Sequence, residues 1–284
     1  MAAIRNDPTL LETVQRIERT SGGRLSIAAC DLDYRRSFER HADRKCATAS
    51  VIKLPILLHT LLMAERGALS LDERVTLEAG DAAPGSGVLK DLSPGVTMSL
   101  RDACVLMIVV SDNTATNLVL DRVGIDAVNK TMDELRCPNT RLFRKVFSSG
   151  PPINPANARY GLGVTTPRET LRLLRGLYQG RIGSPSLCAE ALAILKRQHY
   201  RDGLPRFLPE SWTFAGKGGA VDHVRNDVGI VCTPGGGAIA IAAFCSALPR
   251  SQWTPENPGL IALAEVGRAV ARRFRPDEVE AESS

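Results

Sequence analysis

The segment Ser50-Val-Ile-Lys53-Leu-Pro55-Ile-Leu-Leu58 sets one serine and one lysine at the head of an apolar run. The pattern predicts a long helix over 50–65. Residues three apart on a helix share a face, so Ser50 and Lys53 are placed to touch. A lysine takes a serine proton only if burial and nearby positive charge lower its pKa, and the apolar residues after Lys53 favour burial. The first turn also offers free backbone N–H groups to an oxyanion. Pro55 falls near the helix start, where a missing N–H costs little. Alone, the tetrapeptide reads better as a capping serine and a solvated lysine, because Ser-x-x-Lys is easily met by chance.

Two further clusters lie downstream. Ser111-Asp112-Asn113 follows the apolar run 105–110 and precedes a helix predicted from Thr114. Its side chains suit a helix cap, or a tight turn projecting into a cleft. There Ser111 would pass a proton to a leaving group, and Asn113 would bond a substrate amide or hold Lys53. Lys217-Gly218-Gly219 falls on a predicted strand, where glycines let a substrate backbone approach the edge. Lys217 would offer charge to a carboxylate and to Ser111. Each cluster alone also has an ordinary structural reading.

Together they stand in the order Ser-x-x-Lys, Ser-Asp-Asn, Lys-x-Gly, with first residues 61 and 106 positions apart. Around them stand Ser111-Asp-Asn-Thr-Ala-Thr-Asn117, Thr165-Thr-Pro-Arg-Glu169 and Arg225-Asn-Asp-Val-Gly-Ile-Val231. The chain resembles the class A β-lactamases and their penicillin-binding relatives, whose signature is this trio. The resemblance runs from about Leu10 to Phe274. It implies that Ser50 is the acylated nucleophile and Lys53 its general base or relay. Ser111 would protonate the leaving nitrogen, Asn113 would contact the substrate's side-chain amide, and Lys217 would organise a carboxylate pocket. The oxyanion would lie between the N–H of Ser50 and one near Gly219 or Ala220.

The chain departs from the family in three places. Gly218 stands where a Thr or Ser hydroxyl is usual, and Arg225 is the candidate to supply positive charge to a substrate carboxylate instead. From Leu135 through Arg168, where the family's Ω-loop carries a deacylating Glu, there is no Asp or Glu. The stretch carries Arg136, Arg141, Arg144, Lys145, Arg159 and Arg168 instead. Glu169 reads as the far end of a Thr166 capping box. An acyl ester hydrolyses slowly without a base to activate water. Three routes remain open: Lys53 serves both steps, another group such as Tyr160, His199, Asp222 or His223 acts, or the acyl-enzyme is long-lived. Asn154 and Asn157 can hold a loop water but cannot take its proton. Finally, Leu57 stands where a disulfide partner for Cys104 would be expected, so that bridge cannot form. Cys46 reads as packing.

Strand signals sit at both ends and helical ones between. Helices are expected over 8–20, 99–110, 114–123, 126–135, 166–178, 186–198 and 258–274. Strands are expected over 24–33, 212–218, 225–232 and 237–247, a hairpin or loop over 34–45, and a frayed tail from Arg275. The fold class is therefore α+β: an antiparallel sheet built from the N- and C-terminal segments (1–47 and 199–284), flanked by helices, with an inserted all-helical domain (48–198). The active site would lie between the two.

The 284 residues are 44% hydrophobic and 24% charged, an ordinary globular composition. A net charge of +5 with scattered basic residues and 5% aromatics does not suggest a nucleic-acid partner. No run reaches the ~18 to 20 apolar residues of a membrane span. The first residues lack an apolar signal core and the seven cysteines lack metal spacing, which together point to reduced thiols and a cytoplasmic setting. A periplasmic or secreted location would require a leader already removed. No cofactor or metal is expected; a small-molecule substrate and a monomer are. The leading expectation is a serine hydrolase opening a β-lactam amide with slow deacylation. The alternatives are an esterase, amidase or D-alanyl peptidase on the same machinery, or a non-catalytic β-lactam-binding or sensor module.

Overall fold

A computed structural model describes residues 4–5, 7–34 and 36–281. The N-terminal part comprises β1 (Ile4–Arg5), α1 (Pro8–Ser21), β2 (Arg24–Asp31), β3 (Arg36–Arg40) and β4 (Cys46–Ala47). Asp7 caps α1 by accepting the Leu10 N–H at 3.0 Å, Pro8 fills the first turn, and Gly22 ends the helix at φ 69°. A 3-10 turn over Ala49–Ile52 leads into α2 (Lys53–Glu65). There follow β5 (Arg74–Thr76), β6 (Thr97–Ser99), α3 (Leu100–Val109), α4 (Asn113–Val123), α5 (Ile125–Glu134), β7 (Arg141–Leu142), α6 (Pro155–Tyr160), β8 (Gly163–Thr165), α7 (Pro167–Tyr178) and α8 (Pro185–Lys196). The chain closes with β9 (Thr213–Val221), β10 (Val224–Cys232), β11 (Ala238–Ser246), α9 (Pro258–Phe274) and α10 (Pro276–Ala281).

The main sheet has the order β1-β3-β2-β11-β10-β9. Its centre is the antiparallel pairing of β2 with β11, in register at Ala28 and Ala242, so the chain's two ends meet in one sheet as expected. The pairings are antiparallel except β1 with β3. Small residues such as Ala28, Ala240 and Ala242 line one face and let α7 pack close. The other face packs Ile27, Ile241 and Phe214 against α1 and α9. Gly216 and Gly229 pair across β9 and β10, and the Phe214 ring covers both. The fold is a mixed helix and antiparallel-sheet architecture.

The middle of the chain is mainly helical but not wholly so. It contributes β8, which pairs with β4, β7, which pairs with β8, and the β5–β6 pair. Side-chain amides hold this irregular part: Asn129 brackets Leu142, donating to its O and accepting its N–H, each at 2.8 Å. Asn117 does the same for Val146 at 3.0 and 2.9 Å. Such amides complete backbone pairing where no strand is available. The expected long helix at 50–65 is also divided, since its first turn is 3-10.

The described part of the tail corrects a second expectation; residues 282–284 lie outside the described residues. Arg275 is not frayed but buried, with its guanidinium bonded to Asp31 at 2.8 Å and also to Asp33. The Asp31 side chain is 0% exposed, so loss of its partner strands a charge in the interior. Replacing Arg275 by Met should lower unfolding free energy by about 3 to 5 kcal/mol. Urea denaturation measures this, and a loss well under about 1 kcal/mol would show that water reaches the pair.

Candidate active site

The 3-10 turn explains why Ser50 and Lys53 share a side: at three residues per turn, positions i and i+3 eclipse. Ala49, just before the serine, sits at φ 45°, and Ser111 sits at φ 54°. Left-handed backbone at non-glycine residues costs about 1 to 3 kcal/mol each and concentrates at functional sites. The α3–α4 turn is held by Asp112. Its Oδ1 accepts the Ala115 N–H at 2.8 Å, and its Oδ2 accepts those of Val88 and Leu89 at 2.7 and 2.9 Å. The middle residue of Ser-Asp-Asn thus ties the 84–89 loop to the site.

Lys53 Nζ reaches the Ser111 carbonyl at 2.7 Å, Ser111 Oγ at 3.2 Å and Asn113 Oδ1 at 2.8 Å. Asn113 holds Lys53, one of the two roles foreseen for it, while its own Nδ2 donates to Pro84 O at 2.8 Å. From the far side, Lys217 Nζ donates to Ser111 Oγ at 3.1 Å and to the Gly218 carbonyl at 2.7 Å. Two amines therefore converge on one hydroxyl, and both are buried. Desolvation first, then the charge of Lys217, holds Lys53 well below the ordinary lysine value; Asp112 opposes this. Burial brings Lys217 down to about 7 against the pull of Asp227.

A cavity of about 350 Å³ joins Ser50 and Ser111 to Lys217, Gly218, Gly219, Ala220 and Arg225. Beta-strand β9 is the sheet edge, so alternate N–H groups along it are free of β10 and face this cavity. Arg225 is more constrained than a free carboxylate fork. Its Nη1 donates to the carbonyls of Val221 at 2.8 Å and Val224 at 2.7 Å, its Nη2 donates to Gln252 O, and Trp253 lies over it at 4.6 Å. Sequence reasoning missed Tyr200, Asp202 and Trp253 on the same wall. They come from irregular segments whose path no periodicity reveals.

Residues 135 to 168 hold no acid, and most of the other candidates make contacts of their own. Glu169 only half-forms a capping box. Its N–H bonds Thr166 Oγ1 at 3.2 Å, but its carboxylate accepts from Asn139 N at 2.9 Å, Asn139 Nδ2 at 2.8 Å and Thr140 Oγ1 at 2.7 Å. Asn154 caps α6, and Asn157 bonds Ile153 N at 3.0 Å and Gly161 O at 2.7 Å, so both serve the loop itself. Asp222 and His223 form the β9–β10 turn. Tyr160 lies under Arg159, and His199 is exposed. The loop's cations are largely paired: Arg141 with Asp133, Lys145 with Asp121, Arg168 with Glu39 and Asp43. All seven cysteines are free; burial pushes Cys46 up to about 11 and Cys104 up to about 12, which suits packing rather than reactivity.

The model of the Beta-lactamase enzyme family matches residues 9–274. The chain belongs to that family. A beta-lactamase of Rhodobacter capsulatus is 27% identical over 94% of this chain and 88% of its own. The crystal structure of a beta-lactamase from Sphaerobacter thermophilus superposes with a TM-score of 0.83 at 32% identity, covering 93% of this chain and 96% of that one. A PBP-A mutant, solved as an acyl-enzyme complex with penicillin G, superposes at 0.84 with 26% identity, covering 97% and 99%. These neighbours share the mixed helix and antiparallel-sheet fold. Among the described residues no helix is long and apolar enough to cross a membrane.

The two glycines after Lys217 differ in tolerance. A β-carbon on Gly219 would lie 2.7 Å from Thr48 O, 2.9 Å from Val51 N and 3.0 Å from Ser50 N. On Gly218 it would meet nothing closer than Asn226 O at 3.7 Å. Gly219→Ala should therefore cost about 1 to 3 kcal/mol by overpacking, and Gly218→Ala well under 1. Parallel urea melts of the two variants check this; equal losses would mean the strand does not press on the Ser50 turn.

Proposed function

We propose that the protein is a serine hydrolase that opens β-lactam amides through an ester on Ser50 and releases that ester slowly. The observation that carries the reading is the convergence of Lys53 and Lys217 on Ser111 beside Ser50, in the family that the chain belongs to. A lysine whose pKa burial lowers well below the ordinary value is suited to be the base the first step needs. Lys53 takes the Ser50 proton as Oγ bonds to the lactam carbonyl carbon. The carbonyl electron pair moves onto oxygen, beside the N–H groups of Ser50 and Ala220. When the pair returns, the C–N bond breaks. The leaving nitrogen takes a proton through Ser111, which is replenished from Lys53. Lys217 draws the substrate carboxylate, and Arg225 adds positive charge from the cavity wall. Asn113, besides holding Lys53, borders the acyl side.

Slow release follows from where the acids are. The Ω-loop has none, and Glu169 is committed to Asn139 and Thr140. Water near the ester would have only Lys53 to take its proton. This favours a long-lived acyl-enzyme, a reading supported by the PBP-A mutant of the same fold that was solved as an acyl-enzyme complex with penicillin G.

Intact-protein mass after mixing with penicillin G should show one added penicilloyl group that persists for minutes or longer. Ser50→Ala should abolish it, and Lys53→Ala should slow its formation at least about a hundredfold. No adduct and no hydrolysis with any β-lactam would refute the proposal. Ester or D-alanyl peptide turnover dependent on Ser50 would then point to the other substrates of the same machinery.

A further inference from the structure

Gly218 and Asp227 stand opposite each other across β9 and β10. A β-carbon on Gly218 would lie 3.8 Å from Asp227 Oδ1, so the notch left by the missing side chain opens toward that oxygen. Asp227 is 3% exposed and lines the active-site cavity. Its Oδ2 accepts the Leu204 N–H at 2.9 Å, while Oδ1 has no partner among the described residues. A buried carboxyl oxygen left unpaired is costly, and here it borders a substrate cavity.

The usual Thr or Ser at position 218 would place a hydroxyl in that notch. We propose that Asp227, as the neutral acid, donates the hydrogen bond to a substrate carboxylate that Gly218 cannot supply. The inference rests on the β-lactam reading above. A carboxyl group donates only when protonated. Burial pushes Asp227 up to about 7, against the Leu204 N–H, Lys217 and the Val228 N–H, which pull it down. The charged groups around it are Lys217 on β9, Arg225 on β10 and Asp202 on the cavity wall. The neighbouring strand brings Ala243, and α9 turns Leu263, Val266 and Val270 to this side of the sheet.

The sign follows from the acid form. Asp227 is a donor below about pH 7 and a repelling anion above it, so preference for a carboxylate falls as pH rises. Lys217 loses its charge over the same range. Asp227→Asn separates the two. Its amide oxygen keeps the Leu204 N–H and its NH₂ faces the notch at every pH, but it no longer helps Lys217 stay protonated.

The test measures Ser50 acylation rates by intact mass for penicillin G and for its methyl ester, which lacks the charge. The wild-type preference for the free acid should fall about tenfold between about pH 6 and pH 8.5. At pH 6 Asp227→Asn should keep this preference within about twofold of wild type, because its amide still donates, and Asp227→Ala should lack it until Gly218→Thr is added. If Asp227 only sustains the charge of Lys217, Asp227→Asn and Asp227→Ala will lose the preference alike, which overturns the proposal. Equal preference in wild type and Asp227→Ala at pH 6 overturns it too. Wild type acylated by neither compound removes the β-lactam reading itself, and this inference with it.

Discussion

Two lysine amines buried on one serine hydroxyl are the constraint around which this structure is organised. Water would stabilise either ammonium far better than the protein does, and their mutual repulsion adds to the cost. The arrangement persists because each amine is held by oxygens from separate segments. Lys53 from α2 meets Ser111 and Asn113 from the α3–α4 turn; Lys217 from β9 meets the same Ser111. The three segments are distant in sequence, so the sheet and the helical region must both be formed before the amines have partners. The low basicity that results is the property that the proposed acyl transfer would use, which would link the stability cost directly to that chemistry.

Holding these segments in register takes further compensation. Ala49 and Ser111 sit in left-handed backbone, and each is fixed by neighbours with little freedom. Thr48 N–H donates to Gly163 O at 2.9 Å, and Asn226 Nδ2 donates to Ala47 O and Thr48 O at 2.8 and 3.1 Å. Asn226 thereby reaches from the sheet to the residues just before Ser50. Asp112 does the same for the second motif by gathering three backbone N–H groups. Both help to fix where Ser50, Lys53 and Ser111 stand, which is the work of a supporting shell.

The sequence was most legible where local physics and chemistry coincide. The helix starts expected at Pro8, Ser99 and Thr166 appear within a residue or two of expectation, because capping acts over one turn. The Ser50, Ser111 and Lys217 clusters were legible only jointly, since each alone fits an ordinary cap or strand end. What stayed hidden depends on long-range contact. Arg275 looks like part of a polar tail until Asp31, 244 positions away, is seen beneath it. Glu169 looks like a capping residue because Thr166 does cap its N–H; only the folded loop shows the carboxylate turned to Asn139 and Thr140. Arg225 likewise reads as a free cation until the carbonyls of Val221, Val224 and Gln252 are found around it.

The distribution of carboxylates then separates the two halves of the chemistry. The proposed acylation would draw on the lowered basicity of Lys53, on backbone N–H groups and on the charge of Lys217, and the two amines meet at Ser111. The proposed deacylation would need a further base, whereas the acids nearest the loop in sequence or pairing serve structure. Glu169 ties α7 to Asn139 and Thr140, while Asp133 and Asp121 each neutralise a loop cation. Placing a new acid in this loop would not by itself create a base, because a carboxylate beside Arg141, Arg144 or Lys145 would pair with the cation. It would become useful only facing Ser50, in partly desolvated surroundings that raise its affinity for a proton. The slow release proposed above would then be a property of the whole loop's charge pairing rather than of one missing residue.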